Sequence, residues 1–368
     1  MFWVIAQLVQ LTNFSKVDFV NSPLNSHCLI VTLCKSPNFG AYLQAFALQE
    51  VLVGYGYQVS FLDIYDEANN KKRLQFLFRG WRQGAATVFF NLRKLLAFRS
   101  VNKRFEIIPR GDISQFCAAF IGSDEIWSVT NGTFNSAPEF FGLNLGNLLK
   151  FAYAPSVGNS GVDDVKQHPE FMDGLHEFDM LSVRDYESYL VATKAAQRED
   201  VTLVLDPTFL HDFSANEEGF DVGCRYLLAY TYGFSDEVAR EVKTYAKKHN
   251  LKVISAGFYH PWADRSVSCN PFEFLSLVKK AECVVTDTFH GSVFAIKYRK
   301  NFVSYGWHKK KVKYLLESLG LEDSLVKPGI LAECCMIETD YSNFLDKLEP
   351  LLFDSREYLL RCNNMVRG

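Results

Sequence analysis

Residues 28–64 constrain the fold of this chain more than any other stretch. Residues 28–33 are a short apolar run and 36–40 a polar, glycine-containing loop; Ala41, Ala45, Leu48 and Leu52 then recur at helical spacing until Gly54 and Gly56 stop the pattern. Residues 57–64 are a second apolar run, alternating enough to be partly buried. Strand, helix and strand in that order make the βαβ unit of a parallel sheet.

The pattern continues downstream. Strand signals follow at 117–122, 149–154, 180–183 and 201–205, most of them stopping at a polar or glycine-containing turn suited to lining a cleft. A second array begins near Val222, after the loop 211–219, with strands at 226–232, 251–256, 283–285 and 302–305. Its first helix is opened by Ser235 with Asp236 and Glu237 and closed by Lys247 and Lys248, which matches a side-chain cap and the helix dipole. Further helices are expected at 271–281, after residue 290, and at 341–362. A chain of 368 residues is long for one core. We therefore expect an α/β protein of two Rossmann-like domains, residues 27–211 and 222–340. Residues 1–26 read as an extension, and the helix within 341–368 as one that returns to the first domain.

Composition matters mainly for what it disfavours. With 48% hydrophobic and 22% charged residues and a net charge of -3, the chain reads as soluble and globular, and non-specific nucleic-acid binding is not expected. The 9 cysteines are scattered, with Cys334 and Cys335 adjacent and no CxxC, so neither a zinc site nor a disulfide framework is signalled; a reducing cytoplasm fits. The apolar start has no basic residue before Lys16 and is too short to span a bilayer.

The chemistry concentrates at 286–295, where a lone histidine stands at a strand-to-helix junction. The apolar residues Cys283, Val284 and Val285 precede it, and Val293, Phe294 and Lys297 follow at helical spacing, so His290 and Gly291 fall on the first helical turn. Ligands of doubly wound sheets sit at carboxyl ends of strands beside helix N-termini, which attract anions. Asp287 or Thr288 capping the helix is the structural alternative for this turn. The dipole end is expected to disfavour the imidazolium and keep His290 neutral near pH 7. Arg184 follows the run 181–183 and so lies at another strand end; it reads as an anion-binding fork or as a structural ion pair with Asp185 or Asp206. Asp206 before Pro207 reads as a helix cap.

Four more segments accompany the histidine in order: Asn38 to Leu48, Ile121 to Trp127, Leu181 to Asp185, and Leu203 to Thr208; the run Lys309 to Leu316 comes last. This ordered set resembles the polysaccharide pyruvyl transferase family over roughly residues 28–320. The resemblance implies a GT-B-like arrangement with an interdomain cleft, and an enzyme that moves pyruvate from phosphoenolpyruvate onto a sugar as a ketal, with no cofactor. That donor needs fixed cations or helix N-termini for its carboxylate and phosphate, an acid for its methylene and a base for the sugar hydroxyls. His290 is then the acid/base and Arg184 a donor cation. Asn38, Gly40, Asp124, Trp127, Thr288, Gly291 and Lys310 are the expected substrate-contacting positions, with Trp127 stacking on a sugar face. Some family members carry an arginine where this chain has Thr288, and Lys309, Lys310 or Lys311 is the expected substitute. The acceptor implied is a sugar or lipid-linked oligosaccharide.

Residues 71–110 hold eleven basic side chains against the single acid Glu106, interleaved with Phe78, Trp81, Phe89, Phe90, Leu95 and Phe98. This reads as a basic insertion into the first domain, either packed onto it or in peripheral contact with an anionic membrane at the inner face. Two rival functions stand beside the transferase reading: a nucleotide-sugar glycosyltransferase on the same architecture, and a non-catalytic assembly protein that docks on membranes.

Overall fold

The computed structural model describes residues 26–65, 84–131, 136–333 and 336–368. Residues 1–25 of the N-terminal extension, the basic side chains from Lys71 to Arg82, and Cys334 and Cys335 lie outside the described residues.

Two parallel sheets form the frame. The first holds β1 (His27–Val31), β2 (Gln58–Leu62), β3 (Ile107–Ile108), β4 (Ala118–Ile121), β5 (Leu149–Ala152), β6 (Met180–Val183) and β7 (Val201–Leu203) in the order β3-β2-β1-β4-β5-β6-β7. The second holds β8 (Tyr226–Tyr230), β9 (Lys252–Ala256), β10 (Arg265–Val267), β11 (Cys283–Thr286) and β12 (Asn301–Ser304) in the order β10-β9-β8-β11-β12. Every strand pairing in both is parallel. In each sheet the order reverses beside its first strand, so each has a switch point: β1 beside β4, and β8 beside β11. The protein is thus α/β with two Rossmann-like units.

The helices are α1 (Phe39–Gly54), α2 (Ala85–Val101), α3 (Val162–Lys166), α4 (Pro169–His176), α5 (Tyr186–Leu190), α6 (Asp236–Lys248), α7 (Pro271–Lys280), α8 (Phe289–Lys297), α9 (Lys310–Ser318), α10 (Ile330–Glu333) and α11 (Phe344–Arg367). Ser235 caps α6 by accepting from the Val238 amide. Helix α1 is apolar nearly all round because it is covered twice. Its inner side lies on the first sheet. Its outer side sends Phe39 onto Phe274, with ring centroids 4.4 Å apart, and Tyr42 and Phe46 edge-on against Phe272 of α7. One continuous apolar cluster therefore runs through both units.

Helix α11 returns to the first sheet. Tyr57 Oη donates to Asn363 Oδ1 at 3.1 Å, Tyr358 Oη donates to the Ala152 carbonyl at 2.8 Å, and Ser355 Oγ accepts from the Leu205 amide at 2.8 Å. The last of these fixes the backbone next to Asp206. No helix among the described residues is long and apolar enough to cross a membrane.

The described part of the basic segment departs from a uniformly solvated surface. Thr87, Phe90, Lys94, Phe98 and Val101 form the buried face of α2. Lys94 Nζ donates to the Gly257 carbonyl at 2.7 Å in the second unit, 4.5 Å from the Phe258 ring centroid, and burial pushes its pKa down to about 7. This lysine ties the two units together and offers no charge to a surface.

Candidate active site

The two switch points face each other. At the end of β1, Asn38 caps α1 by accepting from the Ala41 amide at 3.2 Å, and its side-chain amide donates to Tyr232 Oη, just beyond β8, at 2.9 Å. At the end of β11, Thr288 caps α8 by accepting from the Gly291 amide at 2.9 Å, while its Oγ1 lies 3.0 Å from Thr286 Oγ1. Capping places His290 on the first turn of α8. It also leaves Gly291 against the two threonines, since a Cβ there would lie 2.1 Å from Thr286 Oγ1.

His290 is only 10% exposed at its side chain, and it projects across the boundary between the units. One side of the ring lies on the α1 backbone: a Cβ on Gly40 would stand 2.1 Å from Nδ1. The glycine expected to let a ligand approach instead makes room for the histidine. Nε2 lies 3.5 Å from Asp206 Oδ2, an electrostatic contact longer than a formed hydrogen bond. The helix end is therefore not the only charge acting on this ring, since a buried carboxylate opposes it.

Asp206 is the cap its Pro-flanked position suggests: Oδ1 accepts from the Thr208 amide at 3.1 Å and from Thr208 Oγ1 at 2.7 Å. Its other oxygen, Oδ2, accepts from Arg184 Nη1 at 2.6 Å and Ser123 Oγ at 3.1 Å. Burial alone would raise the pKa of Asp206, but the facing His290 ring, the Arg184 guanidinium and the Thr208 hydroxyl outweigh it. They hold the carboxyl well below the usual carboxylate range.

Of the two readings of Arg184, the structure corrects the exposed donor cation and forms the structural ion pair with Asp206, for its side chain is 1% exposed. Besides Asp206, it reaches Ser123 Oγ at 3.0 Å and, from Nη2, Asp124 Oδ1 at 3.4 Å, and it stacks 4.5 Å from the Phe289 ring centroid. Nη1 is committed to Asp206, whereas Nη2 is held more loosely. Asp124, the partner on that side, adopts φ 79, a region that non-glycine residues seldom occupy.

Two other expectations also change. Trp127 is fully buried, its Nε1 donating to the Phe140 carbonyl at 2.7 Å and its ring lying on Phe141 and Phe178, so it offers no face to a sugar. Lys310 points outward with a 71% exposed side chain and pairs with Glu187 at 3.0 Å. Its neighbours are the inward ones: Lys309 Nζ meets Asp287 Oδ2 at 2.9 Å, and Lys311 pairs with Glu125. Burial pushes the pKa of Lys311 down to about 8, against the attraction of Asp124. The site thus sets one histidine and three paired cations at the facing carboxyl ends of two sheets. That arrangement can hold an anion and move a proton beside it.

Gly40→Ala tests the packing of this site. The added methyl overlaps the Cβ of His290 as well as its ring, which turning the ring cannot relieve, so α1 and α8 must move apart: the imidazole carbon-proton NMR signals of His290 should shift and the melting temperature should fall. Unchanged signals would show that the ring does not lean on α1.

A family model for polysaccharide pyruvyl transferase matches residues 38–309. No curated protein matches the chain. Among solved structures it is similar to UDP-N-acetylglucosamine 2-epimerase from Rickettsia bellii, at 12% identity over 93% of this chain and 96% of that one, with a TM-score of 0.49. It is similar also to UDP-GlcNAc 2-epimerase from Neisseria meningitidis bound to UDP-GlcNAc, at 10% identity over 91% and 100%, with a TM-score of 0.47. A third is the glycotransferase of kitacinnamycin, at 10% identity over 94% and 99%, with a TM-score of 0.44. At these identities the likeness is one of fold.

Proposed function

The chain belongs to the polysaccharide pyruvyl transferase family, and we propose from that premise that it transfers pyruvate from phosphoenolpyruvate to two hydroxyls of a sugar in a surface-polysaccharide precursor. The observation that carries this reading is His290, held between Gly40 and Asp206 where the switch points of the two sheets meet.

The donor's phosphate and carboxylate suit the cations around that ring. Each cation already has a carboxylate partner, so the donor competes for them: Lys309 from Asp287, Lys311 from Glu125, and the Nη2 side of Arg184 from Asp124. Lys309 and Lys311 take the place of the arginine that some family members carry at the Thr288 position, since Thr288 is spent on capping α8. An anion beside Lys311 favours its charged form.

In the reaction, a proton goes to the donor methylene, which becomes the methyl group, and a sugar hydroxyl adds to the adjacent carbon. The carbon–oxygen bond to phosphate breaks, and a second hydroxyl closes the ketal. Two hydroxyl protons are released: one balances the new methyl, the other leaves with inorganic phosphate. His290 accepts the proton of the attacking hydroxyl, and Asp206 holds the ring in place from behind. A lipid-linked acceptor would place the enzyme at the cytoplasmic face of a membrane.

Phosphoenolpyruvate should raise the melting temperature, by the equivalent of about 2.7 kcal/mol when present at a hundred times its dissociation constant. Lys311→Met should weaken that binding about ten- to a hundredfold. Stabilisation by a sugar nucleotide and none by phosphoenolpyruvate would favour a glycosyltransferase instead.

A further inference from the structure

Helix α2 is apolar on two opposite sides. The inner side is the buried face that carries Lys94. On the outer side Phe89, Leu92 and Leu96 are 62%, 53% and 66% exposed. At about 100° per residue these three lie in one stripe opposite the buried face. Arg93 and Arg99, both exposed, fall on either flank of that stripe, and the Arg93 guanidinium lies 5.6 Å from the Phe89 ring centroid. The helix sequence AATVFFNLRKLLAFRSV contains no acid.

We infer that the outer stripe of α2 inserts into an anionic lipid surface, with Phe89, Leu92 and Leu96 entering the acyl boundary and Arg93 and Arg99 meeting the headgroups. An apolar line bordered by arginines on both sides, with no carboxylate to repel a negative surface, is the arrangement of an interfacial helix. A second protein copy is the weaker occupant. Three side chains fall far short of the roughly 800 Å² per partner that a stable protein interface buries. The inference deepens the reading of a membrane-borne acceptor, and it narrows the membrane contact from the whole basic segment to one helix face. Lys94 and Ser268 Oγ, which donates to the Phe90 carbonyl at 3.0 Å, tie the buried face of α2 to the second unit, and Phe98 packs on Phe39 and Tyr42 of α1 in the first, so the stripe is presented on a fixed helix.

The test uses the full chain without substrates, so its outcome is separate from that of pyruvyl transfer. Cosedimentation is measured with vesicles of phosphatidylcholine alone and with vesicles in which part is replaced by phosphatidylglycerol. The wild-type protein should bind the mixed vesicles and release on added salt. Leu92→Ser with Leu96→Ser should lower binding at least tenfold, and Arg93→Gln with Arg99→Gln should lower it by a similar factor and remove most of the salt dependence. Melting temperatures of both variants should match the wild type, since the exchanged side chains leave the buried face of α2 untouched. Equal binding to the neutral vesicles, no binding at low salt, or binding unchanged in the Leu92 and Leu96 variant would overturn the inference. So would a concentration-dependent dimer in light scattering that this variant dissolves.

Discussion

Replacing His290 by asparagine should lower the turnover of pyruvyl transfer by about two to four orders of magnitude while fold and donor affinity persist. The argument rests on where the ring sits. Thr288 caps α8 and so sets the first turn, Gly40 gives the ring room on one side, and Asp206 faces Nε2 on the other. An asparagine fills similar space but cannot take a proton. The fold should hold, because Asp206 keeps Arg184, Ser123 and Thr208 as partners. Ser235→Ala is the matching control, since loss of the α6 cap costs about 1 kcal/mol of stability and should leave turnover intact. Single-turnover rates beside melting temperatures separate the two effects. A near-normal rate in the asparagine variant would move the proton transfer to another group.

The second large effect is on stability. Arg184 and Asp206 are 1% and 0% exposed at their side chains and 2.6 Å apart, so removing either leaves a buried charge without its partner. Arg184→Ala should cost about 3–5 kcal/mol, read as a lower urea midpoint, and Asp206→Ala a similar amount. The double variant should be less destabilised than the sum of the two. Acid should act in the same direction. The folded carboxyl of Asp206 is depressed, so its contribution is fully present above the unfolded carboxylate value of about 3.9 and is lost as pH falls toward the folded one. An Arg184→Ala protein that melts normally but loses donor binding would restore the exposed, anion-gripping role suggested by its strand-end position.

The strands were legible because they are short apolar runs with marked stops, and the run at 180–183 coincides with β6. β3 and β10 were not, because β3 is two residues long and β10 buries only Val267, so neither shows as an apolar run. The cap at Ser235 and the turn holding His290 follow from local chemistry, and local chemistry is visible in a sequence. Asp206 shows the limit: one carboxylate oxygen does the local work that a Pro-flanked aspartate advertises and the other forms the pair with Arg184 that was one reading of that arginine, but the approach of His290 comes across a fold that no spacing reveals. Gly40 is the same case, its missing side chain filled by a residue 250 positions away in the chain. Within the lysine run, the choice of Lys310 as the contact missed the phase. With Lys309 as the extended residue before α9, Lys309 and Lys311 turn inward and Lys310 outward.

The central claim, that this cleft carries pyruvyl transfer from phosphoenolpyruvate, is tested most directly by incubating the purified protein with that donor and a panel of sugar acceptors. Inorganic phosphate and acceptor mass are followed together. The account predicts phosphate release that depends on the acceptor, matched by a product heavier than the acceptor by one pyruvic acid less one water, with both signals lost in the His290→Asn protein. Binding of phosphoenolpyruvate with neither signal across the panel, or both signals at full strength in the His290→Asn protein, would contradict it.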